Sequence, residues 1–182
     1  MSALRVISPG LQTTVQDLGR FGWAHFGISA SGAADPFALR AGNLLVGNTE
    51  NAAAIEMTLL GGAFEFETGT VIALTGSDFG AGPPLWTPVE VKAGQTLRCG
   101  PSQSGARCYL CVRGGIGVPK TMGSASTHII TGVGGRLAEG SGRLVALGLW
   151  LNSGPKQHRA TRAGASFQSL SNCHRSHHVS SR

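Results

Sequence analysis

Over residues 10–48 glycines fall one at a time among charged and amide residues: Gln16, Asp17, Arg20, Asp35, Arg40 and Asn43. Glycines placed singly beside polar groups bring backbone close to something, because only glycine takes positive φ and close approach without a Cβ clash. A flexible linker would instead be a repetitive Gly/Ser run, without apolar anchors such as Leu18, Phe21, Trp23 and Phe26. The stretch reads as an ordered, turn-rich surface. It is the first place to look for a ligand.

The same punctuation continues downstream and sets the fold class. With 28 glycines in 182 residues and only 13% charged residues, the chain suits a turn-dense β protein better than a helical bundle. Short apolar runs at 4–7, 55–59, 64–67, 71–75, 86–91, 96–99 and 107–112 are separated by Gly, Pro and Ser clusters. Regular short strands at this spacing predict a barrel or sandwich. Gly61-Gly62 predicts a hairpin between the second and third runs. One helix is signposted over about 36–46. Asp35 is its N-cap, Pro36 its first residue, Phe37, Ala41, Leu44 and Leu45 its apolar face, and Gly47 its terminator. Its N-terminus, preceded by Ser31 and Gly32, offers backbone N–H groups to an anion. Ser31 and Asp35 either cap the helix alone or cap it and touch a ligand.

Charge is unevenly placed. Residues 1–147 hold 10 Lys/Arg against 9 Asp/Glu, a net of +1, whereas residues 148–182 hold 5 Lys/Arg and no acid. The body is nearly neutral and carries no basic nucleic-acid face. The division predicts a folded β lobe over 1–147 and a basic, His/Ser-rich, poorly ordered tail over 148–182. The opening residues lack a secretory apolar core, and the longest apolar run, 144–151, is too short to span a bilayer. Four cysteines without an export signal fit reduced thiols and a cytoplasmic location. Cys108 and Cys111 have CxxC spacing, but on a strand they point to opposite faces, which favours buried structural thiols over a metal or disulfide. The tail group Cys173, His174, His177 and His178 is read as low-complexity sequence, and no metal site is expected.

No P-loop, dinucleotide fingerprint or GxSxG elbow occurs, and His25 and His128 are the body's imidazoles. What remains is a polar set without a nucleophile: Asp17, Arg20, Asp35, Asn43, Glu56, Arg113, Ser124, Ser126, Thr127 and His128. Such a set orients a small polar substrate and stabilises a developing oxyanion. Asp17 and Arg20, three apart in a turn, either bridge each other or position a ligand. Glu56 either faces solvent from an alternating strand or lies desolvated inside the barrel. Arg113, before Gly114-Gly115, either reaches a carboxylate or is an edge charge.

Several ordered runs carry a resemblance: GLQTTVQDLGR from Gly10, SGAAD from Ser31, NLLVGN from Asn43, IEMTLLG from Ile55, LCVRGGIGVP from Leu110 and GSAST from Gly123. Together, over about residues 4–140, they resemble the biotin-dependent carboxyltransferase family. That family includes the C-subunit of 5-oxoprolinase, the second allophanate-hydrolase-type subunit and the antagonist of a histidine-kinase inhibitor. The resemblance implies a mainly β, cyclophilin-like barrel lobe, shorter than full-length family members, in a cytoplasmic protein that works with partner subunits. It implies ATP-coupled opening of 5-oxoproline to glutamate, with ATP handled by the complex. The alternatives are carboxyl transfer from carboxybiotin to a urea-like acceptor, or a non-catalytic module that antagonises a partner inhibitor. The residues expected to act are Asp17, Glu56 and Arg113 in catalysis, with Arg20, Ser31, Gly32, Asp35, Asn43, Ser126 and Thr127 binding substrate. Beyond Gly140 the family motifs fade, and the acid-free tail is expected to read from another frame.

Overall fold

The computed structural model describes residues 2–134 and 143–146. The expected boundary at 147, the tail 148–182 and its Cys/His group lie outside the described residues. The order is β1 (Ser2–Ser8), β2 (Gln12–Gln16), a 3-10 turn (Ala24–Phe26), α1 (Pro36–Leu45), β3 (Ala54–Thr58), β4 (Ala63–Phe66) and β5 (Thr70–Gly76). Then follow β6 (Val89–Val91), β7 (Thr96–Arg98), β8 (Arg107–Val112), β9 (Ile116–Gly117) and β10 (Arg143–Ala146). The strands form two five-stranded sheets, β7-β4-β1-β10-β9 and β2-β3-β8-β5-β6, with antiparallel pairings throughout. The mainly β class with one short helix is the one expected. No helix among the described residues is long and apolar enough to cross a membrane.

Alternation along the strands builds the core. Leu4 and Val6 of β1 and Phe64 and Phe66 of β4 meet Ile55 and Met57 of β3, Ile72 and Leu74 of β5, and Cys108 and Leu110 of β8. A period of two puts the intervening residues on the outer faces. On the second sheet that outer face is also buried: Ala54, Ala73, Tyr109 and Cys111 pack beneath α1. The two cysteines of the CxxC spacing thus lie on opposite faces of β8, Cys108 in the inner core and Cys111 under the helix.

Two local expectations are corrected. Gly61-Gly62 closes no hairpin, since β3 pairs with β2 and β8 while β4 pairs with β1 and β7 in the other sheet. The glycines form the corner where the chain changes sheets, and the crowding there explains them. A Cβ on Gly61 would lie 2.3 Å from Cys99 Cβ, and one on Gly62 would lie 2.4 Å from the Ser8 carbonyl oxygen. The helix keeps its predicted cap, with Ala38 N donating to Asp35 Oδ1 at 3.0 Å, but it is rotated from the predicted face. Ala38, Leu39, Gly42 and Asn43 are buried, whereas Phe37 is 74% and Leu44 56% exposed. Small residues let the helix settle close to β5 and β8, and Thr75 Oγ1 donates to the Ala38 carbonyl at 2.7 Å. Closeness to the sheet outweighs the larger apolar stripe.

Candidate functional site

Asp17 follows the last residue of β2 and is 1% exposed. Its Oδ1 accepts from Gly19 N at 2.8 Å, Ser124 Oγ at 2.6 Å and Ser126 Oγ at 2.5 Å, and its Oδ2 from Ala125 N at 2.7 Å. Burial by itself pushes the carboxyl pKa up, but the donors Ser124, Ser126, Ala125 and Gly19 favour the charged form more strongly, so the pKa lies below the ordinary aspartate value. Four donors on two oxygens make Asp17 a clasp that holds 124–126 against the end of β2. A proton-abstracting role is not what this geometry favours.

Arg20, 3% exposed, does not bridge to Asp17. Its Nη1 donates to Ser31 Oγ at 2.8 Å, its Nε to the Thr121 carbonyl at 3.5 Å, and its Nη2 to the Ser126 carbonyl. Ser126 therefore links the two: its hydroxyl holds Asp17 and its carbonyl holds Arg20. Backbone bonds from Arg20 N to Ala30 O and from Ala33 N to Asp17 O lace 17–20 to 30–33. Gly32 sits in that lacing at φ +97, where a Cβ would meet the Leu18 carbonyl at 2.8 Å. Thr127 joins the same knot, its N–H donating to the Val15 carbonyl and its own carbonyl accepting from Gln16 Nε2 at 3.2 Å. Asp17, Arg20, Ser31, Gly32, Ser126 and Thr127 are thus brought together.

The other expected residues go elsewhere. Glu56, 5% exposed, faces neither solvent nor the barrel interior. It lies on the helix side of β3, where Oε2 accepts from Tyr109 Oη at 2.7 Å and Ala34 N at 2.9 Å. Tyr109 Oη in turn accepts from Asp35 N at 2.7 Å. Desolvation, then the adjacent Glu56 charge, drives the Tyr109 phenol far above its ordinary range, so it stays protonated. Glu56 and Tyr109 thereby fasten the helix entrance, with Asp35 beside them.

Asn43 and Arg113 lie at the opposite end of α1. Asn43 Nδ2 donates to the carbonyls of Glu50 and Ala52 at 3.3 and 2.7 Å, and Arg113 Nε donates to the Val46 carbonyl at 3.1 Å. Ten residues of helix separate the ends, about 15 Å at 1.5 Å per residue. One site containing Ser31, Asp35 and Arg113 together is therefore not formed. Arg113 supplies a donor at the helix C-terminus, where the last carbonyls need one, and Asn43 ties the segment that follows back onto the helix.

Beside the Arg20 knot a small cleft of about 120 Å³ opens. Its polar lining is Arg20, Ser29, His128 and Thr131, and Ile28, Met122 and Val133 supply apolar wall. His128 Nδ1 lies 2.8 Å from Thr131 Oγ1, fixing the ring in the wall. Phe21, Phe26 and Ile130, each next in sequence to a lining residue, are exposed. Neither Thr131 nor Tyr109 stands out in the sequence as a functional residue. A signal for Tyr109 was present, because alternation places it opposite the apolar Cys108 and Leu110 on β8, level with Glu56. Thr131 carried none.

Comparison with known proteins gives a family match and several long alignments. The family described as carboxyltransferase domain, subdomain A and B, matches residues 26–180. The matched span runs past Gly140, where the motif resemblance fades. The 5-oxoprolinase C-subunit of Escherichia coli is 49% identical over 137 residues, 72% of this chain and 44% of that protein. The urea amidolyase of Saccharomyces cerevisiae is 42% identical over 153 residues, 81% of this chain and 8% of that one. Among solved structures, TTHA0988 superposes with a TM-score of 0.77 at 34% identity, covering 82% of this chain and 31% of its own. The chain spans less than half the length of each of these relatives.

Proposed function

The chain belongs to the carboxyltransferase domain family, and on that premise we propose that it acts as part of a 5-oxoprolinase-type amide hydrolase. With partner subunits in the cytoplasm, it would open 5-oxoproline to glutamate, and ATP would be used by the assembled complex. The observation that carries this reading is the 49% identity over 137 residues to the Escherichia coli 5-oxoprolinase C-subunit. In this reading the Arg20 cleft receives the small substrate, Ser31 and Ser126 hold the guanidinium, and Asp17 positions Ser126. Glu56 and Asp35 set the helix entrance behind that loop, while Arg113 and Asn43 fix the far end of the helix.

A second reading, carboxyl transfer from carboxybiotin to a urea-like acceptor, draws support from the 42% identity over 153 residues to a urea amidolyase. One reconstitution separates them. The full chain is co-purified with its partner subunits and supplied with 5-oxoproline and ATP, and glutamate release is measured. ATP-dependent release that stops when this chain is withheld supports the hydrolase. An assembled complex that releases no glutamate but, given ATP and a biotin carboxylase to load a biotinylated carrier from bicarbonate, discharges the carboxylated carrier onto urea supports the second reading. Partner binding by the intact chain, with neither reaction, leaves a purely regulatory module.

A further inference from the structure

Arg20 is a buried cation with no anion paired to it among the described residues. A guanidinium has five N–H donors, and Arg20 uses three of them, on Ser31 Oγ and on the carbonyls of Thr121 and Ser126. All three acceptors are uncharged. No carboxylate among the described residues lies within ion-pair distance of it. Asp17, the nearest acid in sequence, has both oxygens committed to other donors. Among the described residues one N–H on each of Nη1 and Nη2 has no acceptor, and the residue lines the cleft. Burying a charge is costly unless it is paired, and a guanidinium with two donors to spare matches the two oxygens of a carboxylate.

We infer that the cleft is a subsite for the carboxylate of a small organic acid, with Arg20 as the recognising cation and Met122 and Val133 as walls for its apolar part. Selectivity follows from the same geometry. A neutral amide of the same shape has only one acceptor oxygen, and its NH2 group would face guanidinium N–H groups, donor against donor. The apolar wall and small volume disfavour large or multiply charged anions. The choice of 5-oxoproline rests on the hydrolase reading, but binding is read on this chain itself and not through turnover by a complex.

The test is titration of the full ¹⁵N-labelled chain, observing the Arg20 Nε–Hε resonance, with 5-oxoproline and with its uncharged analogue 2-pyrrolidinone. Saturable shifts with 5-oxoproline and none with 2-pyrrolidinone are expected. Arg20→Lys is expected to weaken binding roughly tenfold or more, since a point charge replaces the fork. Because Arg20→Lys can also disturb the knot, Met122→Glu provides a second arm. It places an internal carboxylate in the cleft at an already 40% exposed position, and it should abolish 5-oxoproline binding while leaving a folded chain. Equal responses to the acid and the lactam overturn the inference. So does unchanged binding in a folded Met122→Glu chain, or no saturable shift with either compound. These outcomes are separate from the reconstitution, in which a failed turnover leaves the titration readable.

Discussion

Replacing Asp17 by Asn removes one charge and almost no volume, which isolates the clasp. Serine hydroxyls can turn to suit an amide, but the backbone N–H groups of Gly19 and Ala125 are fixed, and they approach different carboxylate oxygens, Oδ1 and Oδ2. Whichever way the Asn amide is turned, its NH2 faces one fixed N–H. One buried donor therefore loses its acceptor, a cost of about 1–3 kcal/mol, and the other bonds lose their charge assistance. A total of about 3 kcal/mol lowers Tm by roughly 6–12 °C for a chain of this size. The pH dependence has a defined sign. The folded-state pKa lies below the ordinary value of 3.8, so this stabilisation is fully present above that value and is lost as pH falls through the folded pKa. The gap between wild type and Asp17→Asn should be full near neutrality and close in acid. Thermal melts by circular dichroism across pH, with hydrogen exchange at 17–20 and 121–127, measure both effects. A variant that melts within a degree of wild type near neutrality, with unchanged protection at 124–126, would refute the clasp.

Three further outcomes are expected. Gly42→Ala, a change that favours an exposed helix by about 1 kcal/mol, should here destabilise by about 1–3 kcal/mol. The new Cβ would lie 2.6 Å from Cys111 Sγ and 2.8 Å from Thr75 Oγ1, and a chemical denaturation midpoint above wild type would contradict the close helix–sheet contact. Tyr109→Phe strips the hydroxyl that bonds both Glu56 and Asp35 N. It should cost about 1–3 kcal/mol and raise amide exchange at 34–38, whereas unchanged exchange there would argue against the fastening role. Finally, burial pushes the Cys99 and Cys111 thiols up to about 12, and Cys108 higher still. Alkylation of the native chain at pH 8, read by peptide mass spectrometry, should therefore leave all three unlabelled, and rapid labelling of any of them would show that its wall is open.

Period-two alternation, glycine punctuation and the Asp35-Pro36 cap were enough for the sequence to determine a mainly β lobe with one helix, because these signals act within a few residues of chain. The same local signals placed Cys108 and Cys111 on opposite faces and marked 10–48 as an ordered, turn-rich stretch. Tertiary structure decided the rest. Gly61-Gly62 looks alike in a hairpin and in a sheet-changing corner, and only the backbone of Ser8 and the side chain of Cys99 distinguish them. The helix turned its small residues inward because the sheet it meets brings Thr75 and Cys111 close, and neither is near it in sequence. Partners more than a hundred residues apart, Asp17 with Ser124 and Ser126, determine whether a carboxylate is a base or a clasp. A residue's type is written in the chain, but its charge balance depends on what the fold places beside it, and at Arg20 the described residues place only uncharged acceptors there.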